Sequence, residues 1–393
     1  MINESCYKLG AEPSVIRSLF AYGLQQAALV GPEKVFDYSL GNPSIPAPGA
    51  VNASIKDIID SVDSIQVHGY TMAAGLAEAR QAVAEDLESR FGLPVKAQEL
   101  FFTCGAAPAL ISVIKALAAD VSSEIMLLAP FFPEYLPFVE QNGARAVIVP
   151  PDTGSFQLPL ARLEALISPR TQAIIVNSPN NPSGVIYSRE SLEALAALLE
   201  RKSGEYGHPI YIVADEPYRE LVYDGAEVPF IPCIYKNTVV CYSYSKSLSL
   251  PGERIGYVYV PGFARDAQQL YTAIAGAARV MGHVCPPSLM QLVIARCAGE
   301  RPDLAAYDEN RRLLYGSLSA MGYQCVKPQG AFYLLVKAPG GDSIAFSEKA
   351  RLQQNLLLVP ADGFGCPGYL RLSYCVSRDM IERSLPAFKA LLG

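Results

Sequence analysis

The stretch "SYSKSLSLPGERIG", Ser243 to Gly256, crowds one lysine among small hydroxyls just after the apolar run "TVVCY", and sets an arginine before a second strand-like run, "IGYVYV". A lysine at the end of a core strand is costly to bury unless its charge is shifted, paired or chemically used. Other reactive side chains follow apolar runs in the same way. Phe131 and Phe132 follow "IMLLAP", Asn181 lies in "NSPNNPSG" after "AIIV", Asp215 and Tyr218 follow "YIVA", and Ser243, Ser245 and Lys246 follow "VVCY". Alone, such an aspartate reads as an N-cap and "NPSG" as a turn. In an open α/β sheet, however, ligands bind beyond the carboxyl ends of the strands, and the ordered set on consecutive strand ends points to one rim.

A lysine held near neutrality forms an imine with an aldehyde. A carboxylate facing a pyridine nitrogen keeps it protonated, an aromatic ring stacks on the heterocycle, and hydroxyls, an arginine and a helix N-terminus hold a phosphate. Together these describe a pyridoxal phosphate site, with Lys246 carrying the imine and the serines and Arg254 on the phosphate. The required helix N-terminus is supplied by "FFTCGAAPALISVIKAL", where Gly105 and Ala106 offer free amides and Pro108 suits the first turn.

The elements that must position these groups alternate. "GLAEARQAVAEDLESRFG", "PALISVIKALAAD", "LARLEALIS" and "RESLEALAALLERKSGEYG" have helical spacing. Between and after them lie "EIMLLAP", "RAVIVPP", "QAIIVNSPN", "PIYIVADEP", "TVVCYSYSK" and "RIGYVYV". Unalternating runs separated by helices predict an α/β fold with a largely parallel sheet covered on both faces. After "HVCPPS" the order changes to a helix, "AFYLLVKA", "LLLVPA", "YLRLSYCV" and a last helix, which predicts a smaller α+β domain joined by the N-terminal segment. The expected division is 1–45, 46–285 and 286–393. "GFGCPG", Gly363 to Gly368, matches a dinucleotide fingerprint in letters only, because Pro367 and a strand follow it instead of a helix.

Composition narrows the class. Half of the 393 residues are hydrophobic and the net charge is −6, which gives no reason to expect nucleic acid or an anionic membrane as partner. No run reads as a transmembrane helix or secretory leader. Nine scattered cysteines form no disulfide or metal pattern, and His68, His208 and His283 share no ligand spacing. A cytoplasmic protein without zinc chemistry is expected.

At this point the chain resembles the fold-type I pyridoxal phosphate enzymes, specifically the class I/II aminotransferases. The likeness rests on "LGNPSIPAP", "HGYTMAAGLAEAR", "NSPNNPSGVIY", "DEPYRELVY", "SYSKSLSLPGERIGY", "KPQGAFYLL" and "YLRLSY". It implies a seven-stranded sheet in the large domain and gives roles to residues. Lys246 is the Schiff-base lysine and proton-transfer base, Asp215 pairs with the ring nitrogen, and Tyr218 and Asn181 bond the ring oxygen. Phe132 stacks on the ring. Ser243, Ser245, Arg254 and the Gly105, Ala106 and Ala107 amides hold the phosphate, and Tyr70 reaches it from the neighbouring subunit of a homodimer. Arg371 takes the substrate α-carboxylate and Gly41 lines the substrate pocket. The departures concern the substrate: relatives specific for dicarboxylates carry a second cation at positions that fall on Val280 or Ala107, with Arg279 and Arg17 as the nearby substitutes.

The resemblance implies amino-group transfer between an L-amino acid and a 2-oxo acid; an aspartate-type substrate rests on the general likeness alone, because neither cation is in register and no dedicated side chain supports it. A C–S lyase on the same scaffold uses the same lysine and cofactor, so the strand-end residues do not separate the two. A non-catalytic regulator that keeps the cofactor is a third reading, set aside because the chain leaves no room for a DNA-binding domain. A nicotinamide enzyme lacks its fingerprint.

Overall fold

The computed structural model describes residues 2–12 and 14–392. Twelve strands are present among them: β1 (Phe36–Asp37), β2 (Leu100–Thr103), β3 (Glu124–Leu128), β4 (Arg145–Val149), β5 (Thr171–Asn177), β6 (Tyr211–Asp215), β7 (Thr238–Ser243), β8 (Gly256–Tyr259), β9 (Tyr333–Lys337), β10 (Leu356–Leu357), β11 (Val359–Pro360) and β12 (Tyr369–Ser373). Seven of these form one sheet in the order β2-β8-β7-β6-β5-β3-β4. All neighbours are parallel except those of β8, which runs against both β2 and β7.

Side chains on successive strand residues point to opposite faces, and here both faces are buried. Met126, Ile174, Val176, Ile212, Ala214 and Val240 enter one core, while Ile125, Leu127, Ala173, Ile175, Val213 and Val239 enter the other. That is why the strands read as continuous apolar runs. Helices Ala77–Phe91 and Arg189–Tyr206 cover the first face, and Ala106–Leu117 and Ala267–Val280 the second.

A third core gathers around a three-stranded antiparallel sheet, β11-β12-β9, with helices Ala305–Met321 and Arg378–Leu391. The run "LLLVPA" reads as one strand and is divided between two partners. Leu356 and Leu357 pair in parallel with Phe36 and Asp37, whereas Val359 and Pro360 pair with Arg371 and Leu370. The N-terminal segment is thereby woven into this core, and Ser373 N bonds Tyr38 O at 2.9 Å. Helix Ser288–Cys297 lies beyond the expected boundary at residue 285, yet its Met290, Val293 and Ile294 pack in the first core with Val51, Ile58 and Val83. No described helix is long and apolar enough to cross a membrane.

Candidate active site

Strand register assembles the rim. Asn177 at the end of β5 stands opposite Asp215 at the end of β6, and Asp215 opposite Cys241 of β7. Ser243, ending β7, faces Gly256, which begins β8, and Gly256 in turn faces Thr103, which ends β2. Because β8 is inverted, its entry, not its exit, lies on this rim. Arg254, two residues before β8, and Gly105, two residues after β2, therefore meet there. A cavity of about 570 Å³ opens above the rim.

Of the residues expected at the site, Gly41, Ala106, Ala107, Phe132, Asn181, Asp215, Tyr218, Ser243, Ser245, Lys246, Arg254 and Arg371 all line this cavity. Gly105 caps the helix Ala106–Leu117 directly behind it. Tyr70 does not join them; it lies outside the cavity and is 89% exposed. Of the two substitute cations, Arg17 lines the cavity and Arg279, near the end of helix Ala267–Val280, does not.

Lys246 sits in the helical turn Tyr244–Ser247 that follows β7, and its Nζ donates to Gly41 O at 2.7 Å. Burial lowers its pKa to about 8, with Arg254 and Arg371 adding to the effect, so a neutral amine is within reach near neutral pH. The close approach of residue 41 to Tyr333 explains the glycine: a Cβ there would run into the Tyr333 hydroxyl.

Asp215 is buried, and its pKa is raised to about 7 chiefly by desolvation, against which a hydrogen bond from Tyr135 works. The Tyr135 hydroxyl donates to Oδ2, Asn177 Nδ2 donates to the Asp215 carbonyl at 2.9 Å, and Oδ1 is buried without a partner. A buried carboxylate oxygen left bare calls for a donor or cation from the cavity.

A second corner of the cavity gathers a helix start, two hydroxyls and a guanidinium. The first amides of a helix have no intrahelical acceptor, and Ala106 and Ala107, which open this helix, line the cavity. Ser243 Oγ and Ser245 Oγ lie 2.7 Å apart, and Arg254 Nη1 reaches Ser245 Oγ at 3.3 Å. Gly105 has φ +95°, and a Cβ there would also strike the Arg254 guanidinium. On the opposite wall Arg371 is 2% exposed, its Nη1 reaches Asn181 Oδ1 at 3.5 Å, its Nη2 donates to Ser39 O, and its Nε has no partner. Its guanidinium lies between the rings of Tyr333 and Phe364. The Tyr218 and Tyr333 hydroxyls are 3.1 Å apart. Sequence reasoning missed Tyr135, Asn177 and Tyr333; Asn177 and Tyr135 stand after apolar runs in the same way as the residues it found. No group of described His, Cys, Asp or Glu residues could hold a metal.

A buried lysine, a carboxylate with one unpartnered oxygen and the guanidinium groups of Arg254 and Arg371 meet in one α/β cavity. The sequence profile described as "Aminotransferase class I and II" matches residues 34–388, and the chain belongs to that family. It is an enzyme of the transaminase type. A crystal structure of an aminotransferase from Eubacterium rectale superposes with a TM-score of 0.98 at 54% identity, covering 100% of this chain and 98% of that one. The aspartate aminotransferase of Thermus thermophilus with maleate gives a TM-score of 0.85 at 27% identity over 100% of both chains. Aromatic-amino-acid aminotransferase 2 of Thermococcus litoralis is 27% identical over 97% of this chain and 96% of its own length. Enzymes of this family work with pyridoxal phosphate, and the residues present fit that group: bare Asp215 Oδ1 matches a protonated ring nitrogen, and the Gly105 corner matches a phosphate.

Proposed function

We propose that this enzyme uses pyridoxal phosphate to move an amino group between an L-amino acid and a 2-oxo acid. When bound, the cofactor supplies an aldehyde for imine exchange and a ring that withdraws electrons. Lys246 would hold that aldehyde and, once the substrate amine displaces it, its free amine would take the proton from the substrate Cα and deliver it to the former aldehyde carbon, on the far side of the nitrogen. Its lowered pKa suits both tasks. Asp215 Oδ1 would hold the ring-nitrogen proton, while Tyr135 donates to the other oxygen. Asn181 and Tyr218 would bond the ring oxygen, and Phe132 would pack on the ring. The Gly105, Ala106 and Ala107 amides, Ser243, Ser245 and Arg254 hold the phosphate. Arg371 takes the α-carboxylate through its fork, and Gly41 shapes the wall beside it.

The remaining parts of the reading concern assembly. Tyr70 completes the phosphate site of a second copy in a homodimer. The chain divides into a large unit around the seven-stranded sheet and a smaller one from both chain ends, with the boundary moved to about residue 300 on the packing of helix Ser288–Cys297. Nine free cysteines fit a reducing cytoplasm.

The observation that carries the proposal is the convergence of Lys246 and the bare Asp215 oxygen in one cavity. The test is the visible spectrum of the purified protein during addition of single L-amino acids. Loss of the yellow band with release of the matching 2-oxo acid is expected. Release of pyruvate and ammonia instead makes it a lyase, and no band after added pyridoxal phosphate refutes the cofactor assignment. Lys246→Ala is expected to abolish turnover while still binding cofactor noncovalently; wild-type turnover in that variant removes the lysine from the mechanism.

A further inference from the structure

Tyr333 lines the cavity, yet the transaminase reading gives it no task. It opens β9 of the small antiparallel sheet, opposite Ser373 of β12, and brings a phenol from that sheet to a rim built by the large one. The side chain is buried. Its ring lies under the Arg371 guanidinium, with the centroid 4.8 Å away, and edge-on to the Tyr218 ring at 5.7 Å. Gly41 closes in on the hydroxyl, which a Cβ at that position would strike. The Tyr218 hydroxyl, 3.1 Å off, is its only hydrogen-bond partner among the described residues.

Each phenol has one hydrogen to give, and between the two either oxygen can be the donor. Burial pushes both phenols up, Tyr333 to about 12 and Tyr218 well above the usual range, so both keep that hydrogen at neutral pH. Once Tyr218 gives its hydrogen to the cofactor's ring oxygen, the direction is settled. Tyr333 must then donate to Tyr218 or leave a buried hydroxyl hydrogen unused, which is costly. We infer that Tyr333 is a positioning residue of the site: its hydroxyl donates to Tyr218 and so aligns and strengthens the bond that Tyr218 gives the ring oxygen. The inference rests on the pyridoxal phosphate reading of the same cavity. A donor that itself accepts a hydrogen bond is polarised and gives a stronger one. The ring oxygen also accepts the proton of the imine that Lys246 forms, so a firmer hold on that oxygen makes the protonated imine less stable. Tyr333 thereby keeps the imine easier to deprotonate without touching it. The other charged and titratable groups facing these side chains are Arg371 on β12, Cys375 just after it, Tyr307 on helix Ala305–Met321, Asp215 on β6 and Arg254 before β8. Removal of one hydroxyl leaves them all in place, so a change in the imine's titration reads the phenol pair.

The test titrates the visible spectrum of the pyridoxal phosphate-loaded enzyme with pH, with no amino acid present. Tyr333→Phe keeps the ring beneath Arg371 and removes only the hydroxyl. It is expected to raise the midpoint at which the yellow, protonated imine is lost by roughly 0.4–1 pH unit, the weight of one hydrogen bond. Tyr218→Phe is expected to raise it further. The double variant should rise no higher than Tyr218→Phe alone, because Tyr333 acts only through Tyr218. Tyr223→Phe removes a nearby hydroxyl that bonds Ala331 O, and should leave the midpoint where it is. An unmoved midpoint in Tyr333→Phe overturns the inference, as do additive shifts in the double variant. So does an equal shift in Tyr223→Phe, which would mark a loosened entry to β9. These shifts in an enzyme that no amino acid converts would sink the transaminase reading and leave the role of Tyr333 standing. A wild type that forms no yellow imine refutes the cofactor reading and this inference together.

Discussion

Asp215 shows most plainly what burial does to the charge of a site residue. Its pKa is raised from the ordinary 3.8 to about 7 by burial. An acid with a raised folded pKa binds more protons folded than unfolded, so it subtracts stability as pH climbs from about 4 to about 7. A shift of this size corresponds to a loss on the order of 4 kcal/mol by neutral pH. In the cofactor-free protein, Asp215→Asn is therefore expected to gain stability over wild type as pH rises through that window, read from urea midpoints. A gap that stays flat with pH would show that Asp215 is not carrying an uncompensated charge. Tyr135→Phe removes the donor that holds the carboxylate down, so the window moves to higher pH. The same residues mark what sequence could and could not give. Lys246, Asp215 and Asn181, all of which line the cavity, could be picked out because each ends an apolar strand or lies in the turn or loop just after one, a local signal. Tyr135, Asn177 and Tyr333 act through partners 38 to 115 residues away, and nothing local in "FFPEY" reveals a phenol aimed at Asp215.

At the scale of elements, the sheet was legible because burial on both faces leaves long apolar runs. Its inverted strand was not. "RIGYVYV" carries no mark of direction, yet only inversion of β8 brings Arg254 to the rim beside Gly105. The N-terminal helix Val15–Val30 escaped notice because only Leu19 and Gly23 of it are buried, so its pattern has no broad apolar stripe. The turn before helix Ala106–Leu117 yields a prediction. Gly105, at φ +95° and ψ −177°, occupies backbone territory closed to other residues, and a Cβ would also press on Arg254. Gly105→Ala is expected to cost roughly 1–3 kcal/mol of stability and to weaken cofactor phosphate binding at least about tenfold as the amides and Arg254 separate. Fluorescence titration of the apoprotein with pyridoxal phosphate measures it; unchanged affinity would remove that corner from the phosphate site.

At the scale of the whole molecule, one exposed face bears on the proposed homodimer. Tyr70 and Met72 are 89% and 76% exposed, and Val280 and Val284 are 74% and 59% exposed. They share a neighbourhood, because His283 Nε2 bonds Ala73 O at 3.0 Å and ties the two loops together. Large apolar side chains gathered on one exposed face mark an interaction surface, and the proposed homodimer has Tyr70 cross it to the partner's phosphate corner. This predicts shared sites, which complementation can read. Lys246→Ala homodimers have no working lysine, and Tyr70→Ala homodimers lack the borrowed phenol at both sites. A hybrid of the two has one site with both lesions and one with neither. After random exchange of equal amounts, half the dimers are hybrids and half of their sites are intact, so activity should recover to about a quarter of wild type by two-fold symmetry. Recovery depends on exchange, so the same mixture kept from dissociating should show only the residual activity of Tyr70→Ala. If the exchanged mixture shows no more than that residue, Tyr70 serves its own chain and the site is complete within one subunit.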